Sequence, residues 1–196
     1  MLPMGKPKHI NHDAFSIFTN EAIYWIGFLY ADGSIRGNEV NLALSIEDLE
    51  HLQKFRSFLS SEHKLQTYDR VCKLSFSSTT IVEKLSEHGI VNRKCHICKP
   101  PKVLENNPHF WRGVVDGDGT INTAGAVGLT GTYDTCKAFS LFMGDKREPI
   151  PYKKSFYVWS LKTKTPKVLY NQGFVQLDRK AVKATVRIDR RFKSES

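Results

Sequence analysis

Trp25-Ile26-Gly27-Phe28-Leu29-Tyr30-Ala31-Asp32-Gly33 decides the fold, because the chain repeats its pattern 86 positions later as Trp111-Arg112-Gly113-Val114-Val115-Asp116-Gly117-Asp118-Gly119. Both copies place Trp first, Gly third, a small residue seventh, then Asp-Gly. A spacing of that length suits two related half-domains in one chain rather than the short units of a solenoid.

Each copy reads as a short helix stopped by Asp-Gly. Gly27 and Ala31 lie four apart on one helix face, as do Gly113 and Gly117, and small residues at that spacing let two helix backbones approach closely. Packing the copies together brings Asp32 and Asp118 side by side at the helix C-termini. There they repel each other and face the negative end of both dipoles. A cation between them resolves the conflict, and hard ions such as Mg²⁺ bind through a few carboxylates plus water and phosphate oxygens.

After each copy the period changes to two. Ser34-Ile35-Arg36 leads into a Gly37-Asn38 turn, a hairpin dipeptide. In the strand that follows, Val40, Leu42, Leu44 and Ile46 face the core, and Glu39, Asn41, Ala43 and Ser45 the other side. From Asp48 an amphipathic helix carries Leu49, Leu52, Phe55, Phe58 and Leu59. Strands are predicted over 63–68 and 71–77, and a helix over 80–88 ends at Gly89. Asp13 to Phe18 reads as a short helical lead-in, and Asn20 as the N-cap of the first motif helix.

The second half repeats this order. A helix over 108–118 precedes strands near 126–130, 150–153 and 156–161 and a helix over 133–143, and a last helical turn around Val168, Leu169 and Tyr170 stops at Gly173. The expected fold is α+β: two pseudo-symmetric αββαββα repeats with the motif helices packed between two antiparallel sheets that form a saddle. The divisions are a basic arm (1–12), a first half (13–92), a linker (93–107) without regular structure around its prolines, and a second half (108–196).

Among 196 residues, 29 Lys and Arg against 20 Asp and Glu give a formal charge of +9 and a pI near 9.4, which points to a polyanionic partner. The longest apolar run, Ala22 to Ala31, is too short to span a bilayer. No apolar signal core follows the basic N-terminus, so the expected location is cytoplasmic or wherever its polyanionic partner lies, without secretion. Cys95-His96-Ile97-Cys98 supplies half of a zinc set and no second pair completes it. Asp116 to Thr120 begins like a calcium loop, but Ile121 and Val127 stand where that loop needs Gly and Glu.

The two nine-residue copies resemble the motif of the LAGLIDADG homing endonucleases, in their single-chain, two-motif form. That resemblance implies a site-specific, metal-dependent endonuclease that acts as a monomer on double-stranded DNA at a long, non-palindromic target. Mg²⁺ is the implied cofactor, with Ca²⁺ binding but not supporting efficient cleavage. Asp32 and Asp118 map onto the catalytic metal ligands, with Ala31 and Gly117 beside them in the metal site. Lys94 and Lys180 map onto the lysines near metal-bound water and the scissile phosphate. The family's first acidic position is Asp116 in one copy and Tyr30 in the other, a position usually peripheral to the chemistry.

The DNA-reading residues would be those on the outward faces of the sheets. In the first half these are Arg36, Asn41, Ser45, Lys64, Gln66, Tyr68, Arg70, Lys73 and Ser75. In the second they are Asn122, Thr130, Tyr152, Lys154, Tyr157 and Trp159. Arg, Lys, Asn and Gln there could read base edges in a major groove while other lysines hold phosphates. An antiparallel sheet that merely wets one face is the plainer alternative. A DNA-binding regulator or an intron RNA maturase on the same scaffold is the functional alternative, although such proteins often lose the motif acids that this chain keeps. An intein is not expected, because the chain has no nucleophile at its start and no His-Asn end.

Overall fold

The structure, a computed structural model, describes residues 8–90, 99–121, 127–153, 156–161, 169 and 176–181. Its first half runs α1 (Asn20–Asp32), β1 (Gly33–Arg36), β2 (Glu39–Ser45), α2 (Leu49–Phe58), β3 (Gln66–Tyr68), β4 (Val71–Ser77) and α3 (Thr79–Glu87). The second half repeats it with α4 (Pro108–Asp118), β5 (Gly119–Ile121), β6 (Val127–Gly131), α5 (Tyr133–Phe142), β7 (Ile150–Lys153) and β8 (Phe156–Leu161). The expected closing turn of this half lies outside the described residues apart from Leu169, which is helical and buried. Each half forms a four-stranded antiparallel sheet, ordered β1-β2-β4-β3 and β5-β6-β8-β7, with α1 and α4 packed together as expected.

Close approach at the glycines makes this helix pair possible. A Cβ on Gly27 would lie 2.1 Å from the Phe110 carbonyl oxygen, and one on Gly113 would lie 2.1 Å from that of Tyr24. Any larger residue would push the backbones apart. Residues 22 to 30 of α1 are all buried, as expected of a helix that is apolar on every side.

Some local expectations are corrected. The N-cap of α1 is Thr19, whose side chain accepts from Ala22 N, rather than Asn20. Residues 13–18 form turns rather than a helix, pinned by the buried Phe15. Within the basic arm, residues 8–12 are anchored: His9 exchanges two hydrogen bonds with Glu62, and Asn11 N donates to Leu59 O. β3 is three residues long because Lys64 and Leu65 fall short of the pairing with β4. A 3-10 turn (Lys102–Leu104) lies in the described part of the expected irregular linker, where Leu104 buries its side chain and Glu105 O accepts from Trp111 Nε1.

Candidate active site and nucleic-acid interface

Asp32 and Asp118 are the last residues of α1 and α4, and both are exposed. A Cβ on Gly117 would sit 2.4 Å from Ala31 Cβ and 3.2 Å from Asp32 Oδ2, so Asp32 overlies the residue just before Asp118. The chain leaves each helix directly into a strand, through Gly33 and Gly119. Their φ values, −71° and −85°, are ordinary. Room is what excludes a side chain there, since a Cβ would lie 2.7 Å from Leu29 O or 2.5 Å from Val115 O.

This donor set suits a hard divalent ion: two carboxylates at adjacent helix ends, with the solvent-facing side left for water and phosphate oxygens. No group of three or more His, Cys, Asp or Glu side chains of metal-binding spacing occurs among the described residues. A soft or tetrahedral all-protein site is therefore a poor match to those residues. Cys72 and Cys136 are buried thiols, and burial pushes Cys136 up to about 12.

Beneath the acids lies a buried network that links the halves. Tyr24 Oη donates to Asp116 Oδ2 at 2.9 Å and lies 2.9 Å from His51 Nε2. Because the tyrosine proton goes to Asp116, His51 Nε2 must carry the hydrogen that Tyr24 accepts. Burial, aided by nearby Lys54, lowers the His51 pKa from 6.5 to about 4 against the pull of Asp48 and Asp178, so the ring stays neutral near pH 7. Leu177 N donates to the same Asp116 oxygen at 2.8 Å. In the related position of the first copy, Tyr30 Oη instead meets Thr135 Oγ1 at 2.7 Å. Motif asymmetry is therefore structural: each copy's sixth residue binds the other half in its own way.

Arg112 is fully buried and stacks over the Tyr24 ring at 5.1 Å. Motif position alone gave no sign of this, since Ile26 holds the equivalent place. Nor did it show that Asp48, read as the start of a helix, accepts two hydrogen bonds from the Arg179 guanidinium at 2.8 and 3.0 Å.

Lys180 comes to the Asp118 end of α4 with its side chain buried. It is 5% exposed, and its Nζ donates toward the carbonyls of Val115, Asp116, Gly117 and Gly119 at 2.6–3.2 Å. Burial lowers its pKa from 10.5 to about 8, opposed by Asp116, Asp32 and Asp118. The ammonium faces main chain, not open solvent. Lys94 lies outside the described residues.

The first sheet presents the expected face. Register places Arg36, Asn41, Ser45, Gln66, Lys73 and Ser75 with Tyr68 on the side opposite Leu42, Leu44, Cys72, Leu74 and Phe76. Lys64 and Arg70 are exposed in the segments flanking β3. Asn41 is nearly buried, and its Oδ1 accepts from Ser75 Oγ at 2.7 Å.

The second sheet needs a correction. Thr130 is outward and Tyr152 is exposed, but Tyr157 packs against the core and meets Tyr133 edge-on at 5.3 Å. Trp159 pairs through its main chain with Leu129, and the expected role of its side chain lies outside the described residues. Phe156-Tyr157-Val158-Trp159-Ser160-Leu161 is apolar on both alternating sets, so alternation could not choose between them. Pairing with β6 puts Tyr157 opposite Gly131 and leaves Ile150 and Lys153 of β7 at outward positions with Thr130. Asn122 and Lys154 lie outside the described residues.

This geometry defines a class of protein: the chain has the LAGLIDADG homing endonuclease fold. Among solved structures it is similar to the LAGLIDADG homing endonuclease I-GzeII in complex with its DNA target, with 12% identity, a TM-score of 0.61, and 88% of this chain and 91% of that one covered. The LAGLIDADG meganuclease I-AabMI bound to uncleaved DNA matches at 12% and 0.60, covering 88% and 91%. Meganuclease I-SmaMI bound to uncleavable DNA matches at 11% and 0.58, covering 88% and 90%. No protein-family model matches the sequence, and no curated protein is similar to it in sequence.

Proposed function

We propose that this protein is a site-specific double-strand DNA endonuclease that hydrolyses phosphodiester bonds with Mg²⁺ and acts as a monomer. The observation that carries the reading is the meeting of Asp32 with the Gly117-Asp118 step at the end of the helix pair. Nothing in packing favours two acids at adjoining negative helix ends, and their retention together is what phosphoryl chemistry would require. The positive formal charge and the polar outer face of the first sheet support a nucleic-acid partner.

Asp32 and Asp118 would hold the metal, with the main chain at Ala31 and Gly117 beside them. When bound, such an ion supplies an acidified water nucleophile and charge stabilisation at the leaving 3′ oxygen. The chain's own contribution is to fix both acids on rigid helices and to lay the sheets along the duplex, so that one scissile phosphate per strand falls beneath each acid. Lys73 and Arg36 with exposed Lys64 and Arg70 would hold phosphates or base edges. The different outer faces of the two sheets suit a non-palindromic target.

The test is cleavage of a diverse DNA pool with Mg²⁺, with Ca²⁺ and with neither, sequencing the ends, with Asp118→Asn as control. Mg²⁺-dependent breaks at one long recurring sequence, lost in the variant, are expected. Tight binding without breaks under any metal would overturn the nuclease reading in favour of a regulator or an RNA maturase.

A further inference from the structure

Residues 176–181 tie the end of α4 to the first half. Leu177 N binds Asp116, Asp178 pairs with Lys54 of α2 at 2.8 Å, and Arg179 forks onto Asp48. Between these anchors the Lys180 side chain enters the protein, and Leu177 and Ala181 on either side are buried. Its Nζ reaches four carbonyl oxygens: Asp116 and Gly119 at 2.6 Å, Val115 at 2.8 Å and Gly117 at 3.2 Å. An ammonium has three protons, so four acceptors at those distances saturate it and leave no donor for a phosphate or a water.

Most carbonyls of a last helical turn have no partner within the helix, although Val115 O also accepts from the Gly119 amide, and a cation there also meets the negative end of the dipole. Such caps are usually exposed and weak. This one is buried and also reaches across to Gly119, the first residue of β5, so it grips the chain on both sides of Asp118. The main chain that carries Asp118 is thereby held from inside.

We infer that Lys180 is a positioning residue: by clamping the carbonyls of Val115 to Gly119 from inside, it fixes where the Asp118 carboxylate leaves the helix, and it does not touch the scissile phosphate. Its catalytic consequence rests on the nuclease reading, whereas the clamp itself does not.

Lys180→Met keeps the apolar stem and removes the charge and the donors, and Lys180→Arg keeps both. In the protein alone, hydrogen exchange of the amides at 118–121 should speed up by about tenfold in Lys180→Met, with β4 unchanged, and return toward wild type in Lys180→Arg. The second readout uses the duplex that the wild-type protein recovers from the DNA pool, carried on a supercoiled plasmid. Lys180→Met should bind it with unchanged affinity. The strand whose cut Asp118→Asn slows more should be cut roughly 100-fold slower, so nicked circles accumulate. Lys180→Arg should restore linear product.

Unchanged exchange at 118–121 overturns the proposal, and so does equal slowing of both strands, the mark of a merely structural lysine. If Lys180→Met does not fold, Arg179→Ala serves instead: it loosens the same segment and should raise the same exchange, and no rise overturns the proposal. Should the wild type yield no target at all, the nuclease reading fails while the exchange result still decides the clamp.

Discussion

Tyr24 and Asp116 are joined by a 2.9 Å hydrogen bond that crosses from one motif helix to the other, and both residues are buried. Tyr24→Phe removes the hydroxyl and leaves His51 Nε2–H and one Asp116 oxygen without that partner. A buried polar group stripped in this way costs about 1–3 kcal/mol. Tyr24→Phe should therefore lower the unfolding free energy by that amount, measured by urea denaturation, with DNA affinity unchanged. No loss of stability would mean that the bond contributes nothing in solution.

The His51 ring makes folding pH-dependent. Its pKa is lowered from 6.5 in the unfolded chain to about 4 in the fold, so between these values the unfolded state binds more protons. The contribution is therefore fully present above pH 6.5 and is lost as pH falls toward 4, where it levels off. The gap between 6.5 and 4 corresponds to about 3 kcal/mol. Half-buried His63 and buried His88 and His109 have lowered pKa values too and act in the same direction. The informative quantity is thus the difference between wild type and His51→Gln. Stability measured from pH 7 to 4 should fall less steeply in the variant, by up to one proton, and equal slopes would remove His51 from the account.

Alternation, caps and the repeat made most of the fold legible. The bounds of α4, β7 and β8 coincide with their predicted spans because Asn107-Pro108 and the flanking turns mark them. The two carboxylates at the helix ends were legible for the same reason, since spacing alone put small residues on the contact face. What failed needed information from distant parts of the chain. β8 has two apolar sets, and only its pairing with β6 selects one. Asp116 read as peripheral because no local pattern reveals that Tyr24 and Leu177 converge on it. The repeat singled out Lys180 but said nothing of its burial, which goes with the Asp48 and Lys54 anchors in the other half.

Helix contact at the glycines predicts a steric outcome. In Gly27→Ala the new methyl would meet Phe110 O at 2.1 Å, and in Gly113→Ala it would meet Tyr24 O at 2.1 Å and Phe28 N at 2.6 Å. These are backbone atoms, so neither site can relax by turning a side chain. Each variant should lose about 3 kcal/mol. For a chain of this size that is a fall of roughly 10 °C in Tm. Thermal melts within 2–3 °C of wild type, on the order of a 1 kcal/mol change, would show that the helices separate without strain.

Lys73→Ala and Tyr157→Ala separate the outer face of the sheets from the core. Lys73 lies outward on β4, opposite Gln66 and Ala43, where it can neutralise a phosphate. Removing it should weaken binding to any duplex alike and reduce the slope of log Kd against log salt by about 1, with little change in Tm. Tyr157 does the reverse, because its ring packs on Tyr133 and the second core and its main chain pairs with Gly131. Tyr157→Ala should cost about 2 kcal/mol of stability and leave the salt slope intact. A random-sequence duplex suffices for both measurements, since phosphate contacts carry no sequence information. If Tyr157→Ala lowers the salt slope while the melting curve stays in place, the ring faces DNA after all and the face assignment of β8 is reversed.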